Sequence, residues 1–451
     1  MFLQRINCIL KSEWLIPIVF LFAMFCKFFD LITFSITVLV VLICLILIFC
    51  DDVKNIIAII LYAPFYIHNI VSNNNETLFT LAVVTAVFAL MIFTIVKLVL
   101  LSKKKAFKKG GLYIPLIFAT VAFLAGGSLY NFNLETTLSV LMFCSATFFF
   151  YFISLNCTQN LGRFMCKVFV FGAFMVVIEM LVENVTYAKD IFAIFDRSQT
   201  NWVGAENINV AALFILLGVA GSFALGYKTK FDGIFFLIAV VLSSAVLITY
   251  CRVAIALTAV TLVLLSILSF VKSKNKINYA ICFVVFLVIF NVALLMLWDM
   301  VSEVLSTLSG KIGWSGRDVL WQWCIDRFIE HPVLGIGFKY HKDVPFMGSG
   351  AGRYVLAHNT PIQWLCSLGL VGTSLMIVFT VFKYIIVFRK FFSEGVIIRL
   401  IIILIALSGL LDQAATMDPF IYNIVIVLLA SVELINGKTA QDKRQVLYEK
   451  D

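Results

Sequence analysis

Histidine is rare in this chain, and one of its four histidines occupies a position suited to proton transfer. His358 lies just before Thr360 and Pro361, a pair typical of a helix start in which Thr360 is the expected cap. The N-terminal end of a helix carries about half a positive charge, which favours a neutral imidazole. Because a neutral imidazole accepts protons near neutral pH, His358 is a candidate general base, with a surface or capping role as the alternative.

A short helix is predicted upstream of this histidine. Residues 317–331 show helical spacing of apolar side chains, with Arg317 at the N-terminal end and Pro332 after the last turn. Trp321 on this helix is either an anchor in the headgroup zone or a platform for a sugar ring. Residues 335–337, a Gly-x-Gly sequence, predict a flexible turn after the helix.

The composition indicates that these residues are carried by a membrane protein. Hydrophobic residues make up 62% of the chain and charged residues 13%, against about 45–50% and about 25% in a soluble domain. The eleven cysteines show no metal-binding or disulfide spacing, and no paired-aspartate metal motif is present. We expect no metal, no other cofactor and no nucleic-acid partner.

Helical spans dominate the chain. A spanning helix needs about 20 apolar residues, and fourteen segments are candidates, of which the first three are short or interrupted by polar residues. Their approximate limits are 14–29, 31–50, 56–71, 77–101, 112–130, 134–155, 164–185, 209–227, 233–250, 253–271, 279–298, 360–388, 396–411 and 419–436. We predict an all-α polytopic membrane protein with about 12 to 14 transmembrane helices, forming one integral membrane domain over residues 1–451.

The distribution of basic residues predicts the orientation. Lys and Arg concentrate in cytoplasmic loops, and the basic connections of this chain are separated from one another by two spans each. They contain Lys103, Lys104, Lys105, Lys108, Lys109, then Arg163 and Lys167, Lys228 and Lys230, Lys272, Lys274 and Lys276, and Arg389 and Lys390. The tail at 437–451 joins the same side, so both termini are predicted to be cytoplasmic.

Three connections on the predicted outer face carry basic residues, unlike the other outer loops. They are residues 186–208 with Arg197, the tight 250–252 connection with Arg252, and residues 299–358 with Arg317. The last is some sixty residues long, and long loops on a rigid scaffold usually carry function. Arg252 could instead extend from a helix end to the headgroups, and the loop arginines could be solvated charges.

These outer-face residues carry a resemblance to the signature region of the O-antigen ligase and polymerase superfamily. The resembling elements are Arg317 with its Trp-containing helix, Gly335-x-Gly337, His358-Asn359 followed after nine residues by Gly369-Leu370-Val371-Gly372, Cys251-Arg252 in place of a Ser-Arg pair, and Arg197 with Gly204 and Asn207-Ile208-Asn209 in place of Gly…Asn-Pro-Asn. The resemblance covers about residues 195–375.

The resemblance implies a metal-independent glycosyltransferase in the bacterial cytoplasmic membrane, with its active site on the outer face. Its partners would be a polyprenyl-diphosphate-linked oligosaccharide donor, a glycan or lipid-linked glycan acceptor, and membrane lipids. By the same resemblance, His358 is the base and Arg252 and Arg317 hold the diphosphate, for which forked guanidinium groups are well shaped. The implied substrate-binding residues are Arg197, Asn209, Asn359 and Trp321.

Two alternatives stay open. A ligase would pass the glycan to a lipid A core sugar or another acceptor, whereas a polymerase extends a growing chain, which the slightly larger number of predicted spans favours. A lipid-linked oligosaccharide transporter would show repeated halves and ionisable groups near the midplane. Lys97, Glu179 and Glu183 within spans do not form such paired positions.

The predicted orientation can be tested by cysteine labelling in intact cells. In a variant depleted of native cysteines, Lys342→Cys in the 299–358 loop should react with a membrane-impermeant thiol reagent. Lys105→Cys should react only after the membrane is permeabilised, because its loop faces the cytoplasm. Equal labelling of the two variants in intact cells would contradict the orientation.

Overall fold

The computed structural model describes most of the chain and consists of α-helices. The described residues are 2–29, 31–50, 52–61, 96, 99, 110–128, 140, 142–157, 161–188, 208–296, 298, 302, 317–337, 357–391, 395–411 and 419–448. The helices are α1 (Phe2–Lys11), α2 (Leu15–Phe28), α3 (Ile32–Phe49), α4 (Tyr113–Ser128), α5 (Thr147–Asn156, after a π-helical turn at Met142–Ala146), α6 (Leu161–Ala188), α7 (Ile208–Gly226), α8 (Asp232–Ile248), α9 (Arg252–Lys272), α10 (Lys276–Met296), α11 (Arg317–Glu330), α12 (Thr360–Phe388), α13 (Val396–Leu411) and α14 (Pro419–Tyr448).

The predicted all-α membrane architecture is confirmed. Twelve of the fourteen predicted spans coincide with helices in the described part of the chain, and no strand occurs there. For the predicted span at 56–71 the described part is helical to residue 61, and the span at 77–101 lies outside the described residues except for two helical positions. Within the described part of the chain, four helices are long and apolar enough to cross a membrane by themselves: α6, α7, α9 and α12.

The helices belong to two compact units, each assembled from separate stretches of the chain. Unit 1 contains residues 1–93, 160–312 and 395–404, and unit 2 contains residues 94–159, 313–394 and 405–451. The single integral membrane domain over 1–451 stays a prediction.

Helix α7 forms the centre of unit 1. Its side chains from Ala211 to Phe223 are buried around the whole helix circumference, as expected of a helix that is apolar on every face. Gly221 brings α7 close to α6, since a Cβ there would lie 2.9 Å from the Cys166 carbonyl oxygen. By contrast, α9 exposes Val260, Val263 and other apolar side chains. Such an apolar surface requires a lipid environment.

Charged residues gather at one end of unit 1. The Glu13 carboxylate accepts hydrogen bonds from the ammonium groups of Lys54, at 3.3 Å, and Lys167. The Asn55 amide donates to the carbonyl oxygens of Leu10 and Ser12 at 2.7 and 3.0 Å. These contacts join the starts of α2, of the helical segment at 54–61 and of α6. The charge distribution predicts the same side of the membrane for all three.

A carboxylate from the last helix caps an early helix of unit 2. The Glu433 side chain in α14 accepts the Leu112 backbone N–H at 3.1 Å, just before α4. Its second oxygen accepts the Tyr151 hydroxyl from α5 at 2.8 Å. A carboxylate at a helix N-terminus satisfies orphan N–H groups and the positive end of the helix dipole. One side chain therefore fixes three helices of unit 2 at one point.

A second feature of unit 2 is a break inside helix α12. Gly369 has φ 61° and ψ −167°, which interrupts the helix roughly 14 Å beyond Thr360 at about 1.5 Å per residue. The segment 332–337, which follows α11, lies against this break. Four backbone hydrogen bonds join them: Ile336 N–H to Cys366 O (2.9 Å), Gly337 N–H to Ser367 O (3.0 Å), Leu370 N–H to Pro332 O (2.8 Å) and Val371 N–H to Val333 O (3.1 Å).

We call this arrangement of residues 332–337 against 366–371 the backbone splice. The sequence predicted only a flexible turn after α11 and placed Gly369 inside an uninterrupted span at 360–388. The structure instead gives the turn fixed partners on both sides of the break. Helix α4 packs at the same level, where a Cβ on Gly126 would lie 2.4 Å from the Leu368 side chain.

Glycine is required at two positions of the splice. Gly335 and Gly369 both have positive φ, 70° and 61°, and a Cβ on Gly369 would lie 2.5 Å from the Gly335 nitrogen. A Cβ on Gly335 would in turn lie 2.6 Å from the Cys366 carbonyl oxygen. Any side chain at either position therefore meets backbone atoms and adopts a strained conformation.

Gly369→Ala should destabilise the protein by more than about 1 kcal/mol, because alanine is strained at positive φ and its Cβ has no room. The matched control is Gly437→Ala in α14, where a Cβ would meet nothing within 4 Å. That change should leave stability unchanged or slightly raised. Thermal unfolding in detergent measures both, and a Gly369→Ala protein that unfolds at the temperature of the control would contradict the role of the splice.

Candidate functional site

Helix α11 is packed against the start of α12. Leu320, Cys324, Ala357 and Cys366 form a buried apolar cluster, with the Trp321 and Trp323 rings packed against it. The Trp321 indole N–H donates to the Ala357 carbonyl oxygen at 2.7 Å. This contact ties α11 directly to the residue before His358. The sequence suggested that Trp321 is a headgroup anchor or a sugar platform. In the structure its indole N–H bonds the protein backbone instead.

His358 adopts a left-handed backbone conformation, with φ 50°, and its side chain is partly exposed. The helix cap is Asn359, whose side-chain oxygen accepts the Ile362 N–H at 3.1 Å, while its amide donates to the Leu410 carbonyl oxygen at 3.2 Å. Thr360, the expected cap, instead donates its hydroxyl to the Gly409 carbonyl oxygen in α13 at 2.9 Å. Asn359 can cap because its backbone is extended, as a cap requires.

Arg317 is the first residue of α11, and its side chain is partly exposed next to the exposed Asp318. Another arginine on this helix is engaged within the helix itself. Arg327 lies 2.5 Å from a Glu330 carboxylate oxygen and 5.5 Å from the centre of the Trp323 ring. Arg317 lies at the N-terminal end of α11, the end of a helix that favours anions, and stays the predicted contact for an anionic substrate.

Arg252 lies in unit 1, at the tight turn between α8 and α9. Tyr250 has φ 52°, and the Cys251 N–H donates to the Thr249 hydroxyl at 3.3 Å. Arg252 follows as the first residue of α9 and is exposed. The guanidinium therefore adds its charge to the positive N-terminal end of a helix, a combination suited to anions.

The structure brings several predicted residues together and leaves others to prediction. In unit 2, the Trp321 indole bonds the carbonyl oxygen of Ala357, the residue before His358 and Asn359 in the chain, and Arg317 begins the helix that carries Trp321. Asn209 is the second residue of α7 in unit 1. Arg197 and most of the 299–358 loop lie outside the described residues. The convergence of Arg252 with Arg317 and His358 stays a prediction.

Taken one by one, the candidate residues carry chemical groups that suit the transfer of an electrophile to a hydroxyl. The His358 imidazole is a group that can take a proton from a hydroxyl. Arginine side chains at the starts of α9 and α11 can balance a negative leaving group. Among the described residues no cluster of His, Cys, Asp and Glu suited to a metal ion occurs.

Comparison with known families supports the resemblance found in the sequence. Residues 237–377 match the family model described as O-Antigen ligase, a region that includes Arg252, Arg317 and His358 but neither Arg197 nor Asn209. No curated protein matches the chain in a sequence search. The resemblance to the O-antigen ligase and polymerase superfamily is thereby confirmed over this region. The match indicates a membrane enzyme of bacterial surface polysaccharide biosynthesis.

Proposed function

We propose that this protein is a glycosyltransferase that polymerises or transfers a polyprenyl-diphosphate-linked oligosaccharide at the outer face of the cytoplasmic membrane. The observation that carries the proposal is that the matched region contains Arg252, Arg317 and His358 together. Each of these residues stands at or just before a helix N-terminus, where anions are favoured.

The reaction replaces one bond to the anomeric carbon by another. The acceptor hydroxyl oxygen forms a bond to that carbon, the bond from the carbon to the diphosphate oxygen breaks, and His358 takes the hydroxyl proton. The polyprenyl diphosphate leaves with the bonding electrons. Arg252 and Arg317 stabilise the charge that develops on it, because guanidinium groups bind phosphate oxygens through two parallel hydrogen bonds.

A transporter for the same lipid-linked glycan is the alternative of another class. The broken helix α12 is a feature that transporters share. In transporters, however, the unwound backbone at the break coordinates substrate or ions. Here four of the backbone groups at the break are bonded to residues 332–337, which supports a structural role for the break.

Polymerase and ligase differ only in the acceptor, so the product distinguishes them. A polymerase yields chains of many repeat units on the polyprenyl carrier. A ligase yields glycan attached to a lipid A core or another final acceptor. The larger number of predicted spans supports the polymerase within this proposal.

Removal of the proposed base or of either arginine should reduce polysaccharide formation. His358→Ala should slow transfer by about 100- to 10,000-fold, because proton transfer loses its acceptor. Arg252→Ala or Arg317→Ala should each cost about 100- to 1000-fold. Lysine at either arginine position should restore activity only in part, since an ammonium keeps the charge but not the forked geometry.

The matched controls for these variants are His331→Ala, in the turn after α11, and Arg389→Ala, at the other end of α12. Both should retain full activity. The assay follows polysaccharide formation by variants that are inserted in the membrane at normal levels. Full activity of His358→Ala would exclude the proposed base while leaving the family resemblance intact.

Transfer should continue in the presence of excess chelator. The proposal assigns the charge on the leaving diphosphate to arginine side chains rather than to a divalent ion. The measurement is the rate of glycan transfer in washed membranes with and without EDTA. Loss of activity that is restored by Mg²⁺ or Mn²⁺ would count against metal independence.

A further inference from the structure

A glutamine inside α12 holds the residue that precedes His358. The Gln363 side-chain oxygen accepts the Ala357 backbone N–H at 2.7 Å. Its amide nitrogen donates to the Ser367 hydroxyl at 2.8 Å. Gln363 is completely buried, with 0% of its surface exposed. A buried amide is expensive unless its polar groups are bonded, so this side chain has one well-defined arrangement.

Ala357 is held on both of its backbone polar groups. Its N–H is bonded by Gln363 from α12, and its carbonyl oxygen by the Trp321 indole from α11, at 2.7 Å each. Ala357 is itself fully buried. On the other side of His358, Asn359 and Thr360 are bonded to carbonyl oxygens of α13. His358 therefore lies between two fixed points.

Those fixed points maintain an unfavourable conformation at His358. A residue other than glycine with positive φ is uncommon, although histidine tolerates it better than most. Such a conformation persists only where the surrounding contacts determine it. Release of Ala357 would let His358 relax toward negative φ, which would turn the imidazole away from its present direction.

We infer that Gln363 is a positioning residue that sets the direction of the His358 imidazole through the Ala357 backbone. This inference rests on the proposed function, in which His358 is the base. Gln363 also connects His358 to the backbone splice through Ser367. The Ser367 hydroxyl accepts a hydrogen bond from the Gln363 amide, and the Ser367 carbonyl oxygen accepts one from the Gly337 N–H.

The test compares Gln363→Leu with Gln363→Glu. Leucine fills a similar volume but leaves the Ala357 N–H unbonded, so kcat should fall by about 10- to 100-fold from misplacement of the base, with KM little changed. In Gln363→Glu the side chain still has an acceptor for the Ala357 N–H and a partner for the Ser367 hydroxyl. This variant should keep most of the kcat of the unchanged protein. The donor used in the assay is a polyprenyl-diphosphate oligosaccharide fraction extracted from cells in which the gene for this protein has been deleted.

Gln322→Leu on the exposed face of α11 is the matched control and should keep full activity, since the Gln322 side chain is exposed and bonds Asp326 in the same helix. If Gln363→Leu fails to fold, Ser367→Ala provides the test. It removes the hydrogen-bond acceptor of the Gln363 amide and should lower kcat by about 2- to 10-fold.

A double variant separates this inference from the proposed function. Combined with His358→Ala, Gln363→Leu should cause no further loss, because it acts through the histidine. An equal loss with and without His358, or a rise in KM at constant kcat, would overturn the positioning role and leave the proposed base in place. Full activity of His358→Ala alone would instead overturn the proposed base, and the positioning role with it.

Discussion

Every backbone polar group at membrane depth must be bonded within the protein, and unit 2 is organised around one place where a helix fails to do this. The break at Gly369 interrupts the bonding ladder of α12, a helix long and apolar enough to cross a membrane, and within a hydrocarbon core no water could replace the lost bonds. Residues 332–337 supply the missing partners. Because that segment continues directly from α11, the same four bonds hold α11 against α12, and α4 closes on them at Gly126.

Two residues of α12, Ser367 and Gln363, connect the backbone splice to the candidate base. Ser367 binds Gly337 with its backbone and Gln363 with its side chain, and Gln363 in turn binds Ala357 next to His358. Hydrogen bonds thereby connect the irregular backbone at Gly369 to the N-terminal end of the same helix, α12. Rigid support of this kind is what a general base needs, since small displacements of a catalytic group are costly in rate.

The limits of α12 followed from the length of its apolar run, and the end of α11 followed from Pro332. Helix α12 has the predicted limits, and α11 ends one residue before its predicted end. The break was missed because a glycine in an apolar span is also typical of close helix packing, and its partner segment is remote in the chain. Asn359 and Thr360 are both residue types that can cap a helix. The Thr360 hydroxyl is bonded to α13, and Asn359 is the cap. The role of Gln363 could not be predicted from the sequence, because its partners are a backbone N–H and a nearby serine.

The cap on α4 has a consequence for biosynthesis. Leu112 and Tyr151 are translated hundreds of residues before Glu433, whose carboxylate bonds them both. During translation the start of α4 therefore lacks its permanent anion, and it must wait at the membrane surface, where water can bind the orphan N–H group. Unit 2 is completed only when α14 is inserted, although α4 emerges from the ribosome hundreds of residues earlier.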